Sequence, residues 1–204
     1  MNPGRIPVKL SHLRRLFVSH VEILGFLQFP VLKEIGIDVG QDENVLALLG
    51  PLLTRSSCSL STLCLHGCSP AHATVQILQR FSIRELAIVV DTAEDGGRLT
   101  RLMASLTVSE TEEPKAVAPQ LRRLSLGCGD EGYIDHGAFL KMVMSRWRAG
   151  QCALESAALL VNAGEAPTRS DFTVLCEEGF DLVLAQGLDA ANAMDCLLMY
   201  PGWN

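Results

Sequence analysis

Aromatic side chains are scarce in this sequence: seven Phe, two Trp and two Tyr make up 5% of 204 residues. A core of ordinary composition is therefore excluded, because little of it can come from rings. Long apolar runs are absent as well. Stretches such as Val45 to Leu53 and Ala157 to Val161 fall far short of the roughly 20 residues a membrane-spanning helix needs. No Asn-x-Ser/Thr acceptor, no G-x-S-x-G elbow and no secretory segment with its apolar stretch and small-residue cleavage site are present. Excess charge of one sign is slight, with 17 Lys and Arg against 23 Asp and Glu, so a strongly basic nucleic-acid surface is excluded. The seven cysteines, Cys58, Cys64, Cys68, Cys128, Cys152, Cys176 and Cys196, are odd in number and form no paired C-x-x-C pattern. They suit free thiols in a reducing compartment, and the expected location is intracellular, cytoplasmic or nuclear.

Leucine is abundant, at 32 positions. Much of it falls on a recurring six-residue phrase: Leu13-x-x-Leu16-x-Val18, Leu32-x-x-Ile35-x-Ile37, Leu60-x-x-Leu63-x-Leu65, Ile83-x-x-Leu86-x-Ile88, Leu121-x-x-Leu124-x-Leu126 and, more weakly, Leu154-x-x-Ala157-x-Leu159. The starts are 19, 28, 23, 38 and 33 residues apart, averaging about 28, within the 20–29 typical of leucine-rich repeats. The last two apolar positions of each phrase are two residues apart and so share one face of a short strand. Between phrases the apolar spacing turns helical, over Glu43 to Arg55, Ala71 to Phe81, Arg98 to Leu106 and His136 to Ala149, the last with Asp135 as N-cap and Gly150 past its end. The pattern predicts an α/β leucine-rich repeat solenoid of about six irregular repeats, with short parallel strands inside and helices outside. Residues 1–204 form a single domain in this reading, with 171–204 as C-terminal cap: a helix after Ser170, a strand at Leu182 to Leu184, and Leu197 to Asn204 closing the stack. Asp91 to Gly97 and Val108 to Val117 read as acidic, mobile inserts.

Several segments carry a family likeness: Phe29-Pro30-x-Leu32-x-x-Ile35-x-Ile37; Leu52-Leu53-x-Arg55-Ser56-x-Cys58-x-Leu60-x-x-Leu63-x-Leu65; Leu140 and Met142 running into Ser145-Arg146-Trp147; and Leu175-x-x-Glu178-Gly179-Phe180-Asp181. Through them the chain resembles the leucine-rich region of F-box and F-box-like proteins of mushroom-forming fungi. The resemblance implies a non-catalytic module that holds the substrate of a cullin-RING ubiquitin ligase. No F-box with its Leu-Pro-x-Glu opening is visible, so a ligase adaptor is expected as partner only if an F-box lies upstream.

Chemical motifs have plainer readings. Gly127-Cys128-Gly129-Asp130-Glu131-Gly132 is a literal G-x-G-x-x-G after a strand, but its two acids would repel a pyrophosphate, and it reads as a turn between repeats. Cys58, Cys64, His66, Cys68 and His72 lie within fifteen residues and offer zinc-type ligands, yet Cys64 and His66 share one strand face while Cys58 and Cys68 fall at its corners. A metal-dependent or cysteine-based enzyme using this Cys58–His72 cluster is the alternative function. Neither a cofactor nor a metal site is expected. Arg14-Arg15, Arg122-Arg123 and Arg146-Trp147-Arg148 read as solvated faces, with Trp147 packed in the core. The strand face opposite the leucines is the candidate partner surface: Arg15, Phe17, Glu34, Thr62, Cys64, His66, Glu85, Arg123 and Ser125. Small at its centre and mixed in charge at its flanks, it suits a protein or peptide better than a charged cofactor, a nucleic acid or a membrane.

Overall fold

The structure is a computed structural model that describes residues 7–40, 45–109, 116–163 and 169–199. In chain order the elements are β1 (Val8–Lys9), β2 (Arg15–Val18), a 3-10 turn (Val21–Phe26), β3 (Leu27–Gln28), β4 (Glu34–Asp38), α1 (Val45–Ser56), β5 (Thr62–His66), α2 (Ala71–Arg80), β6 (Glu85–Val90), α3 (Ala93–Leu106), β7 (Arg123–Cys128), α4 (His136–Arg148), β8 (Ser156–Val161), α5 (Arg169–Glu177), β9 (Asp181–Gln186) and α6 (Leu188–Met199). The fold is α/β. Seven strands form one all-parallel sheet in the order β2-β4-β5-β6-β7-β8-β9, and β1 pairs with β3 in a small second sheet.

The apolar phrase explains the register. Leu16, Ile35, Leu63, Leu86, Leu124, Ala157 and Leu182 are successive partners, as are Val18, Ile37, Leu65, Ile88, Leu126, Leu159 and Leu184. Two ladders of apolar side chains therefore stand on one face, where they join a continuous core with Leu49, Leu52, Leu53, Leu78, Leu99, Leu102, Phe139 and Phe172 of α1 to α5. Fully burying each such side chain stabilises the fold by about 1.5–3 kcal/mol. The strand entrances repeat one bonding geometry: the carbonyls of Arg14, Lys33, Ser61, Arg84 and Arg122 each accept two N–H bonds of 2.7–3.1 Å from the two residues that open the next strand.

Two expectations are corrected. The insert Asp91 to Gly97 is not a mobile loop but largely the first turn of α3: the Thr92 hydroxyl accepts the Asp95 N–H at 3.2 Å, the cap a Thr-x-x-Asp sequence allows. Gly96 is required there because a Cβ would run into the Tyr133 carbonyl. Arg146 is not solvated but completely buried. Its guanidinium donates to the carbonyls of Leu106 (3.0 Å), Val117 (2.9 Å) and Ala118 (2.6 Å), so it closes the C-terminal end of α3 against the turn that follows. Arg55 serves α1 in the same way, donating to the carbonyls of Leu27 (2.9 Å) and Leu24.

Elsewhere the helical readings hold. α2 and α4 begin where predicted, and the Asp135 carboxylate caps α4 by accepting the Ala138 N–H at 2.9 Å. Trp147 packs on Phe180, with ring centroids 5.1 Å apart. Pro51 is tolerated inside α1, where it stands on the exposed side. The acidic stretch from Glu110 and the chain from Tyr200 onward lie outside the described residues.

Arg146→Ala would leave two buried carbonyls and the partly buried one of Val117 without this donor, a loss of about 3 kcal/mol. For a chain of this size the melting temperature should fall by roughly 6–12 °C. A fall of less than about 2 °C by calorimetry would show that water replaces the guanidinium.

Candidate functional site: the sheet face opposite the helix layer

The face opposite the leucine ladders carries three rows of side chains, fixed by the strand register. Nearest the strand entrances run Arg15, Glu34, Thr62, Glu85, Arg123, Ser156 and Asp181; along the middle run Phe17, Gly36, Cys64, Ala87, Ser125, Ala158 and Val183; toward the strand exits run Asp38, His66, Val89, Gly127, Leu160 and Ala185. All nine predicted partner-binding residues fall on this face. They do not share one environment.

The entrance row is solvent-facing and internally paired. Arg15 Nε lies 3.1 Å from Glu34 Oε2, Arg123 donates to Glu85 Oε1 at 3.3 Å, and the Thr62 hydroxyl donates to Glu85 Oε2 at 3.3 Å. The result is a row of mixed charge across β2, β4, β5, β6 and β7, with one acid–base pair on each side of Thr62. Exposed pairs of this kind weigh at most about 1 kcal/mol each in stability, so the row is free to exchange partners.

The middle row is small and closes toward the centre of the sheet. Phe17 is 42% exposed and lays its ring over Gly36, where a Cβ would come within 2.6 Å of it. Cys64 is buried, while Ser125 and Ala158 are half-buried. Burial, followed by the nearby carboxylates of Glu34 and Glu85, pushes the Cys64 thiol up to about 12. On the opposite face, burial and then Asp95 push Cys68 up to about 12. Burial also raises Cys58. All three are protonated at neutral pH, the state least suited to nucleophilic attack or zinc ligation. Among the described residues no three His, Cys, Asp or Glu side chains converge in a metal-holding group.

The exit row divides into a polar and an apolar part. On β4 and β5, His66 stands between two carboxylates, with Nε2 2.5 Å from Asp91 and Nδ1 3.8 Å from Asp38. These three residues, with Glu94, Asp95 and Arg98, line an open cleft of about 470 Å³ at the exits of β4 to β6. Clefts at strand exits are where α/β sheets commonly meet ligands. From β6 onward the row is apolar, and α6 covers it. Ala190 and Met194 are buried against Val89 and Leu160, with Ala158, Ala185, Ala193, Leu197 and Leu198 packed around them. Gly127, the first glycine of the G-x-G-x-x-G segment, is the seat of Met194: a Cβ there would meet the Met194 Sδ at 2.6 Å. The last glycine packs under the Val90 carbonyl, 2.5 Å from where a Cβ would stand. Close packing thus accounts for both glycines. The first two residues of the motif belong to strand β7, and α4 starts only at His136.

Sequence reasoning missed α6 as an occupant of this face, and with it Met194 and Ala190. The signal was present: Ala190-x-x-x-Met194 places a small and a long apolar residue one turn apart, and Gly127 marks a hole on the facing strand. A larger groove of about 1180 Å³ lies on the helix layer between α3 and α4, lined by Leu140, Lys141, Met144 and Arg148 among others. Among the described residues no helix is long and apolar enough to cross a membrane. No protein-family model, curated protein or solved structure matches this chain.

Two outcomes follow from the buried thiols. In the native protein a thiol reagent at pH 8 should modify the exposed Cys176 and Cys196 and reach Cys64 and Cys68 only on unfolding; modification of Cys64 at the rate of Cys196 would contradict its burial. In the unfolded chain these thiols ionise near 9 and in the folded chain near 12. Their contribution to stability is therefore intact below pH 9 and is lost as pH rises from 9 toward 12, by up to about 1.4 kcal/mol per pH unit for each thiol. The stability difference between wild type and Cys64→Ala in urea should shrink at that rate above pH 9. A difference that stays constant would contradict the buried neutral thiol.

Proposed function

We propose that the chain is a non-catalytic protein-interaction module of the leucine-rich repeat type, a solenoid of about six irregular units. It resembles the substrate-recognition part of an F-box protein in a cullin-RING ubiquitin ligase. The repeat reading is supported by the two in-register apolar ladders and by the double hydrogen bond that recurs at the entrances of β4 to β8. The ligase role belongs to the proposal only for a chain that carries an F-box. An intracellular setting is supported by free cysteines throughout the described residues.

One observation carries the interaction reading: an all-parallel sheet normally has both faces covered, and here the entrance half of one face is open. That half offers charges of both signs, Arg15, Glu34, Glu85 and Arg123, beside the half-exposed ring of Phe17. Its fit is to a peptide or protein edge with complementary charge and one apolar contact. Buried, protonated cysteines give little support to an enzyme built on the Cys58–His72 cluster.

The test is quantitative capture from cell extract with wild type, with an Arg15→Ala/Glu85→Ala/Arg123→Ala triple variant, and with Arg101→Ala on the helix layer as control. Captured proteins should fall at least about tenfold with the triple variant and stay unchanged with the control, since each rim charge at an interface steers and orients the partner. Equal capture by the triple variant would remove the entrance row from the binding surface.

A further inference from the structure

Helix α6 crosses the sheet. It leaves β9 through a single residue, Gly187, held at φ +62°, and contacts β9, β8, β6 and β5, with Met194 seated on Gly127 of β7. Its twelve residues are about 18 Å long at 1.5 Å each, close to the roughly 19 Å spanned by five strands. The contact is shallow. Among the described side chains of α6 only Ala190 and Met194 are buried, they belong to a four-residue cluster separate from the main core, and Leu188 is 82% exposed. Electrostatically the fit is incomplete. The C-terminal end of a helix carries partial negative charge. That end of α6 reaches β5, whose exit residue His66 is flanked by Asp38 and Asp91, and the last turn of α6 holds no basic residue.

We propose that the apolar exit row, from Ala185 across Leu160, Gly127 and Val89 to the Asp38–His66–Asp91 cluster, is a docking track for a partner's amphipathic helix, which α6 occupies in cis until it is displaced. The favoured partner helix carries a small residue and a methionine or leucine four positions later, to fill the place of Ala190 and Met194. It ends in lysines or arginines, which meet Asp38 and Asp91 where α6 has none. Charge complementarity at that end gives the partner its advantage over the resident helix. The inference is independent of the entrance row and holds whether or not that row binds anything.

The probes are two synthetic peptides, the sequence Leu188 to Met199 and the same sequence followed by three lysines, titrated into the full chain. Met194→Asp in the full chain removes the cis competitor, so this variant should bind the first peptide at least about tenfold more tightly than wild type does. The lysine-tailed peptide should bind about tenfold more tightly again, an advantage lost at high salt and in the added Asp38→Asn/Asp91→Asn changes. Hydrogen exchange on wild type supplies a second measurement that needs no variant: α6 amides should exchange at least about tenfold faster than those of β6 to β8, by local opening. Exchange of α6 only with global unfolding would make it part of the core and overturn the proposal. So would failure of both peptides to bind a folded Met194→Asp chain, or equal binding of the two peptides. A dimer formed by swapping α6 would identify a second copy as the occupant and overturn the partner reading.

Discussion

The parallel register of the seven strands is the constraint on which the rest depends. Side chains alternate between faces, so a slip of one residue at any step would turn Leu63, Leu65 and their counterparts out of the core and bring Thr62, Cys64 and His66 into it. Two features hold the register: apolar residues two apart on every strand, and, from β2 to β7, a carbonyl before the strand that accepts two N–H groups from the next. The helices complete the arrangement from outside. Arg55 and Arg146 tie helical segments to the turns beside them, because carbonyls left open at helix and turn ends must find donors when buried.

Once the leucine ladders are fixed, the composition of the other face follows from the intervening positions, and it is graded. Charged residues run along the entrances, small residues along the middle, and the exits change from Asp38 and His66 on β4 and β5 to Val89, Gly127, Leu160 and Ala185 on β6 to β9. Helix α6 lies where the row is apolar and ends where it becomes polar. Gly127 explains the closeness of that contact, since any Cβ would displace the Met194 side chain. The face is thus divided between an open, ion-paired entrance side and an exit side already holding a helix. A partner approaching the whole face would meet α6 first.

The strands and most helices could be read from sequence because each has a local period: branched residues two apart for strands, three or four apart for helices. The first turn of α3 was missed because Gly96 and Gly97 weigh against a helix, and the structure needs Gly96 small for the approach of Tyr133. Arg146 was misread because its neighbours Trp147 and Arg148 suggest a surface, whereas its role depends on carbonyls some 28 to 40 positions earlier in the chain. The candidate face was legible as a set of residues and not as a surface. Nothing local to Cys64 or Val89 says that a helix more than a hundred positions later returns to cover this face. Likewise the glycines of the G-x-G-x-x-G segment look alike in sequence, and only their neighbours, Met194 for one and the Val90 carbonyl for another, show that they serve packing.

The central claim is that α6 lies across the exit row with Met194 in the space above Gly127. Nuclear Overhauser contacts from a methyl-labelled Met194 side chain in the full chain test it directly. The account predicts strong contacts to the Gly127 α-protons and to the Val89 and Leu160 methyl groups. Contacts confined to Met194's own helix, with Gly127 and Val89 open to solvent, would contradict it.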